Sequence, residues 1–157
     1  PSERKSRKMS QALQTTIDRA WEQRTELSAA SAPAEVRDAV NKVLEVGRRD
    51  GKIGASLQAE VTLYAKGQLA TDLTSIGDEL RFALLTSTAV VSSDAAPADA
   101  VATEMDNLFV VLNASTAPKC DRCWHHRHDV GLNPAHPLIC IRCVDNVEGA
   151  GEVRKFA

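Results

Sequence analysis

The feature that most constrains this chain is its set of four cysteines, which are the only cysteines in the sequence and all lie after residue 119. They follow the spacing C-x2-C-x16-C-x2-C, as Cys120, Cys123, Cys140 and Cys143. Two residues between paired cysteines let one tight turn aim both sulfurs at a point, and two such turns complete a tetrahedral zinc site. Because four thiolates leave no coordination position open, the pattern predicts one structural Zn²⁺ rather than a catalytic metal.

The alternative use of four cysteines is a pair of disulfides, which requires an oxidising compartment. Residues 1–8 are basic and polar, without the apolar run of a secretory signal. We therefore expect a cytoplasmic chain in a reducing environment, where zinc is favoured over disulfides.

The composition limits how such a chain can bind its partners. At 157 residues, with 43% hydrophobic residues and few aromatics, it can bury one modest aliphatic core beside a metal-held satellite. The formal net charge of −2 argues against nucleic-acid binding through a strong overall field. Any such binding must use local patches, and we expect it to be supporting and salt-dependent.

Hydrophobic periodicity predicts two helices in the first third of the chain. Apolar residues recur at helical spacing at Met9, Leu13, Ile17 and Trp21. A second helix is predicted to begin at Pro33 and to end near Gly47 and the Asp50-Gly51 pair. Its apolar face comprises Val36, Val40, Val43 and Leu44.

The middle of the chain alternates between strand and helix patterns. Residues 57–65 alternate with period two, which predicts a half-buried strand. A helical pattern interrupted near Gly77 follows, then an apolar run over 86–91 that predicts a second strand. Leu108, Val110 and Leu112 alternate in a third strand.

These elements predict an α+β fold with N-terminal helices, a small β-α-β-β unit and an appended four-cysteine zinc ribbon or knuckle. We expect three parts: a basic lead-in and helix (1–32), a small α/β domain (33–117) and a zinc-binding domain (118–157). No stretch is long and apolar enough to be a transmembrane helix, so no membrane partner is expected.

The runs around the cysteines, 119–131 and 136–146, and the ending at 151–157 resemble the C-terminal zinc domain of bacterial isoleucyl-tRNA synthetases. Upstream runs resemble the segment that precedes it: 36–44, 52–57, 60–65, 77–87 and 95–100. The resemblance implies a domain far from the catalytic core that contacts the anticodon end of tRNA, here an isoleucine-accepting one. The zinc finger of formamidopyrimidine-type DNA glycosylases shares the cysteine spacing, but their Pro-Glu-Leu-Pro-type start is missing here.

A short N-terminal run, residues 7–10, is similar to the Arg-Lys-Met-Ser-Lys-Ser loop of class I synthetases, which holds ATP phosphates. Gln11 and Ala12 replace its second lysine and serine, and we favour a basic lead-in to a helix. Because the sequence contains no H-x-G-H motif, we expect no catalysis by this chain alone, although the resemblance is to part of an isoleucine-tRNA ligase.

The candidate RNA contacts are the planar and cationic residues beside the cysteines and at the end of the chain. Trp124 could stack on an unpaired base, or it could be an apolar lid over the metal. The full candidate set is Arg122, Trp124, His125, Arg127, Arg142, Arg154, Lys155 and Phe156.

The leading hypothesis is a tRNA-binding module that contacts the anticodon end and has no catalytic site of its own. Two alternatives stay open. The chain could be a protein-interaction or scaffold piece derived from a synthetase, with a catalytic synthetase body or another protein as its partner. It could also be a portion of a full isoleucine-tRNA ligase.

Overall fold

A computed structural model of the chain describes residues 34–156. The predicted helix containing Met9 and Trp21, and the basic run at residues 7–10, lie outside the described residues.

Helix α1 spans Ala34–Arg49, as the apolar spacing predicts. Glu35 in its first turn and Arg48 and Arg49 in its last turn complement the helix dipole. Gly47 was predicted to end the helix, but it lies inside it and is buried. A Cβ built on Gly47 would lie 2.2 Å from Cδ2 of Leu112, so this glycine allows the helix to approach the sheet closely.

The sheet has four strands in the order β2-β1-β4-β3. These are β1 (Ala59–Ala65), β2 (Thr88–Ser92), β3 (Val101–Ala102) and β4 (Leu108–Ala114). Strand β1 pairs with β2 in parallel and with β4 antiparallel, and β3 pairs with β4 antiparallel. A 3-10 turn over Ser56–Gln58 precedes β1, so the first predicted strand begins two residues later than expected.

The predicted alternation of β1 is confirmed, because buried and half-buried residues alternate along its full length. Val61 pairs with Leu112 in β4 and with Ala89 in β2, which brings apolar side chains of three strands to one face. That face forms one aliphatic core with α1 and the connecting helices, and Leu63, Leu73 and Leu80 in it are fully buried.

The connection between the parallel strands is helical. Helix α2 (Gly67–Ile76) is followed by a 3-10 turn (Gly77–Glu79) and by the short helix α3 (Leu80–Ala83). Gly77 has a φ of +65°, which favours glycine and explains the predicted interruption.

The C-terminal part contains helix α4 (Ile141–Glu148), which starts directly after Cys140. The described residues therefore form the predicted α+β architecture with a four-cysteine module. Strand β3 and helix α4 were not predicted. Among the described helices, none has the length and apolar character needed to cross a membrane.

Candidate metal centre and its surroundings

The four cysteines predicted as zinc ligands lie together, with all four sulfurs within 4.8 Å of one another. The Sγ atoms of Cys120 and Cys143 are 3.7 Å apart, and those of Cys123 and Cys140 are 3.8 Å apart. A regular tetrahedron with Zn–S bonds of about 2.3 Å has sulfur–sulfur edges of about 3.8 Å. The four sulfurs therefore fit one tetrahedral Zn²⁺, and these separations are far beyond a disulfide bond of about 2.05 Å.

The backbone around the sulfurs stabilises negative charge. The N–H of Cys140 donates to the Sγ of Cys120 across 3.4 Å. Burial opposes ionisation of Cys120, but backbone N–H groups of Cys123, Cys140 and Arg122 outweigh it and lower the pKa of the thiol to about 6. Burial raises the pKa of Cys140 to about 12. A bound Zn²⁺ would supply the positive charge that allows all four sulfurs to be thiolates at once.

A tight turn links the first two cysteines. The N–H of Trp124 donates to the carbonyl of Cys120 at 2.8 Å, and the N–H of Cys120 donates to the carbonyl of His125 at 2.9 Å. Trp124, directly after the second cysteine, has a φ of +65°. This left-handed conformation costs a non-glycine residue about 1 kcal/mol or more, so a bulky aromatic is held where glycine would be favoured.

The Trp124 side chain projects into solvent, with 61% of the residue exposed. The Nζ of Lys119 lies 5.4 Å from its ring centre. Trp124 and Leu85 both line an open cavity of about 410 Å³. Leu85 is 65% exposed and also has a positive φ, of +55°. Among the described residues, these are the two non-glycine positions with positive φ, and both line this cavity. Trp124 therefore lines an open cavity instead of packing in a buried core.

The metal module, residues 118–148, packs on the α/β part, residues 34–117, through partly buried polar contacts. The N–H of His126 donates to the Ser87 hydroxyl at 2.6 Å, and Ser87 in turn bonds the carbonyl of Leu57. His125 is 8% exposed, and its ring meets the edge of Phe82 with ring centres 5.6 Å apart. Burial lowers the pKa of His125, which favours the neutral form of its ring. His125 is thus placed in the junction rather than on the surface.

Two predicted RNA contacts beside the cysteines have partners within the module. Arg122 is exposed, and its Nη1 lies 3.7 Å from the Sγ of Cys143. Arg127 is partly buried and forms an ion pair with Asp129 at 3.3 Å.

Arg142 and Arg154 share one carboxylate. Glu152 accepts from Arg142 at 2.8 Å and from Arg154 at 2.7 Å. Burial opposes the charge on Arg142, but hydrogen bonding with the Cys123 sulfur and with Glu152 raises the pKa of its guanidinium above the ordinary value. Burial likewise opposes ionisation of Glu152, but Arg154 and Arg142 outweigh it and lower the pKa of this carboxyl.

The end of the chain is anchored to the α/β part. The backbone N–H groups of Lys155 and Phe156 donate to the Glu79 carboxylate, at 2.8 and 2.6 Å. Phe156 also packs against the main core, whereas the Lys155 side chain is on the surface. Sequence reasoning missed Glu79, Phe82, Leu85 and Glu152 because nothing in their local pattern separates them from ordinary surface or helix residues.

Comparison with known proteins agrees with this geometry. A family model described as the zinc finger found in FPG and IleRS matches residues 118–146. Isoleucine–tRNA ligases of Shewanella sp. strain MR-7 and Aeromonas hydrophila are 61% and 63% identical to the chain over 123 residues. The ligase of Shewanella sediminis is 57% identical over the same length. This chain is homologous to the C-terminal zinc region of isoleucyl-tRNA synthetase.

The match is to a small part of these relatives. It covers 78% of this chain but only 13% of each ligase. A second family model, the N-terminal region of tetrahydrodipicolinate N-succinyltransferase, matches residues 12–46, most of which precede the described part of the chain. The synthetase-like region thus carries the metal centre, and its donor set fits one structural Zn²⁺.

Proposed function

We propose that the described part of the chain is a tRNA-binding module that contacts the anticodon end of an isoleucine-accepting tRNA and has no catalytic site of its own. The observation that carries this proposal is the exposed, left-handed Trp124, which lines an open cavity together with Leu85. The relatives, named as isoleucine–tRNA ligases, supply the identity of the RNA.

The cavity suits an unstacked base. Its lining is mostly apolar, and Trp124 offers a flat ring on which a base can stack. The side chains of Trp124 and Leu85 both keep most of their surface in solvent, and both residues have a left-handed backbone. Strain of this kind concentrates at binding sites, where a fixed display is useful.

Phosphate contacts require cations that can face RNA. Lys119 beside the ring and Lys155 have exposed side chains. Arg122 is also exposed, but its Nη1 lies 3.7 Å from the Cys143 sulfur, so zinc content is measured in every variant. Arg127 and Arg142 are partly buried and paired with carboxylates, so we propose that they support the module instead. Arg154 belongs to the same shared-carboxylate network, although it is more exposed.

The test is a titration of isoleucine-accepting tRNA against zinc-loaded wild type, Trp124→Ala and the double variant Arg122→Gln/Lys155→Gln, at several salt concentrations. Trp124→Ala should weaken binding by about 1–3 kcal/mol without changing the salt slope, because stacking is not ionic. The double variant should flatten the log–log salt slope by up to about one unit per lost phosphate contact.

Arg49→Gln is the matched control, because Arg49 is an exposed cation on α1 and lies outside the metal module. It should leave both affinity and slope unchanged. If neither test variant alters affinity or slope, the RNA interface is ruled out and a protein-scaffold role becomes the better proposal.

A further inference from the structure

Phe82, on helix α3, is surrounded by groups from separate segments of the chain. The guanidinium carbons of Arg81, Arg142 and Arg154 lie 4.2, 4.9 and 4.1 Å from its ring centre. His125 meets the ring edge-on, at an interplanar angle of 79°. We call these five residues the Phe82 cluster. It joins the α/β part, the turn after Cys123, helix α4 and the C-terminal tail, defined as residues 149–156.

The near end of the tail is attached to helix α4. The backbone N–H of Glu152 donates to the side-chain oxygen of Asn146 at 3.1 Å. The backbone N–H of Gly151 donates to the carbonyl of Asp145 at 3.2 Å. Arg142 on the same helix adds its ion pair to Glu152. Residues 149–152 are therefore attached to α4 by backbone and side-chain contacts.

The far end of the tail is attached to the α/β part. It is held by the Glu79 carboxylate, which accepts two successive N–H groups, and by packing of Phe156 on the main core. Arg154, between the two ends, lies against Phe82. The tail thus bridges the metal module and the α/β part.

Helix α4 depends on the metal centre for its own stability. Cys140 is its N-cap residue and Cys143 lies within it, so two of the four sulfurs fix its first turn. With eight residues, it is far below the length at which an isolated helix is stable in water. Ligation of Zn²⁺ by the cysteines would therefore order α4, and α4 presents Arg142, Asp145 and Asn146 to the tail.

We propose that zinc binding and docking of the C-terminal tail are thermodynamically coupled through helix α4 and the Phe82 cluster. Coupling between two binding events is reciprocal, so the factor by which zinc strengthens tail docking equals the factor by which docking strengthens zinc binding. Glu79 contacts the tail yet contributes no sulfur and lies outside the metal module. Weakening its contacts must nevertheless lower the affinity of the chain for zinc.

The test uses the full chain and two variants, Glu79→Gln and Phe82→Leu. Glu79→Gln leaves one acceptor oxygen for two N–H donors, and Phe82→Leu keeps an apolar side chain but removes the ring. Zinc affinity is measured by competition with a chromophoric chelator. Tail docking is measured as the rate of tryptic cleavage after Arg154 and Lys155, followed by mass spectrometry with and without zinc.

We expect zinc to slow tail cleavage in wild type and both variants to bind zinc about 5- to 20-fold more weakly, within the usual range of coupling between sites. Both should also lose part of the protection that zinc gives to the tail. Glu45→Gln, which removes an exposed ion pair with Arg48 on α1, is the control and should change neither quantity.

Zinc affinity within twofold of wild type in Glu79→Gln, whether or not its tail is cleaved faster, would overturn the coupling. Glu79→Gln tests the coupling even if Phe82→Leu fails to fold, because the contact of Glu79 with the tail is exposed and lies outside the core. No RNA enters the experiment, so its failure leaves the proposed function standing.

Discussion

Replacing Trp124 by glycine and by alanine separates two opposing effects of this residue on stability. At 61% exposure, the side chain buries about 100 Å² of a typical Trp surface, equivalent to at most about 2.5 kcal/mol. Both variants lose this burial and the contact with Lys119, which adds roughly 0.5–1 kcal/mol. Only glycine also relieves the left-handed backbone, because alanine keeps a Cβ at a φ of +65°.

We therefore expect wild type to be the most stable, followed by Trp124→Gly and then Trp124→Ala. The free energy of unfolding of the glycine variant should exceed that of the alanine variant by about 1 kcal/mol. Urea unfolding of zinc-saturated protein, followed by circular dichroism, measures the difference as a shift in midpoint at constant slope. The two variants should lose tRNA affinity by the same factor, because each lacks the ring.

The same comparison at Leu85 provides an internal control for the backbone effect, since its φ of +55° is also left-handed. Leu85→Gly should be more stable than Leu85→Ala by a similar margin. An alanine variant as stable as its glycine counterpart at both positions would refute the argument that strained backbone holds these side chains in the cavity.

Three further predictions concern the metal, the core and pH. Cys140→Ala should abolish stoichiometric zinc in elemental analysis and disorder the metal module, since a structural zinc contributes on the order of 10 kcal/mol of folding free energy; helix α1 should persist in far-UV circular dichroism. Gly47→Ala should lower the free energy of unfolding in urea by about 1–2 kcal/mol, because the new Cβ would lie 2.2 Å from Leu112 Cδ2. This overpacking outweighs the gain in helix propensity. Glu45→Ala, on the exposed face of the helix, should leave the free energy of unfolding nearly unchanged. The lowered pKa of Glu152 means that its ion pairs stabilise the fold above the ordinary carboxyl pKa and are lost as pH falls through the lowered value. The free energy of unfolding of Glu152→Gln should therefore fall less than that of wild type between pH 7 and acidic pH. An equal fall in both proteins would contradict the assignment.

The elements governed by strict periodicity were predictable from the sequence. Strand β1 alternates over seven residues and helix α1 presents one apolar face, and each has the predicted type. Strand β3 has only two residues, too few for any period, and it exists because β4 offers it a paired edge. Helix α4 was not predicted because it is short and contains the metal ligand Cys143, so few of its residues show a helical apolar pattern.

The metal ligands were predictable because their spacing is a direct consequence of coordination geometry, whereas the surface around them was not. Every basic residue near the cysteines looked equally available for RNA, yet Arg127 and Arg142 have carboxylate partners that only the fold brings close. The left-handed backbone at Trp124 was equally hidden, since sequence rules reserve that conformation for glycine.

The position of β1 in the sheet has a consequence for how the chain folds during synthesis. Strand β1 lies between β2 and β4, and its antiparallel pairs run from Ala59 with Ala114 to Ala65 with Leu108. Because these pairs join residues far apart in the sequence, their formation costs loop-closure entropy before it stabilises the sheet. One edge of β1 therefore stays unpaired until β4 has left the ribosome. Ser87 precedes β2 in the chain, so it is synthesised before His126, which donates to its hydroxyl. We therefore expect the strands of the α/β part to be synthesised in full before the metal module that packs on them.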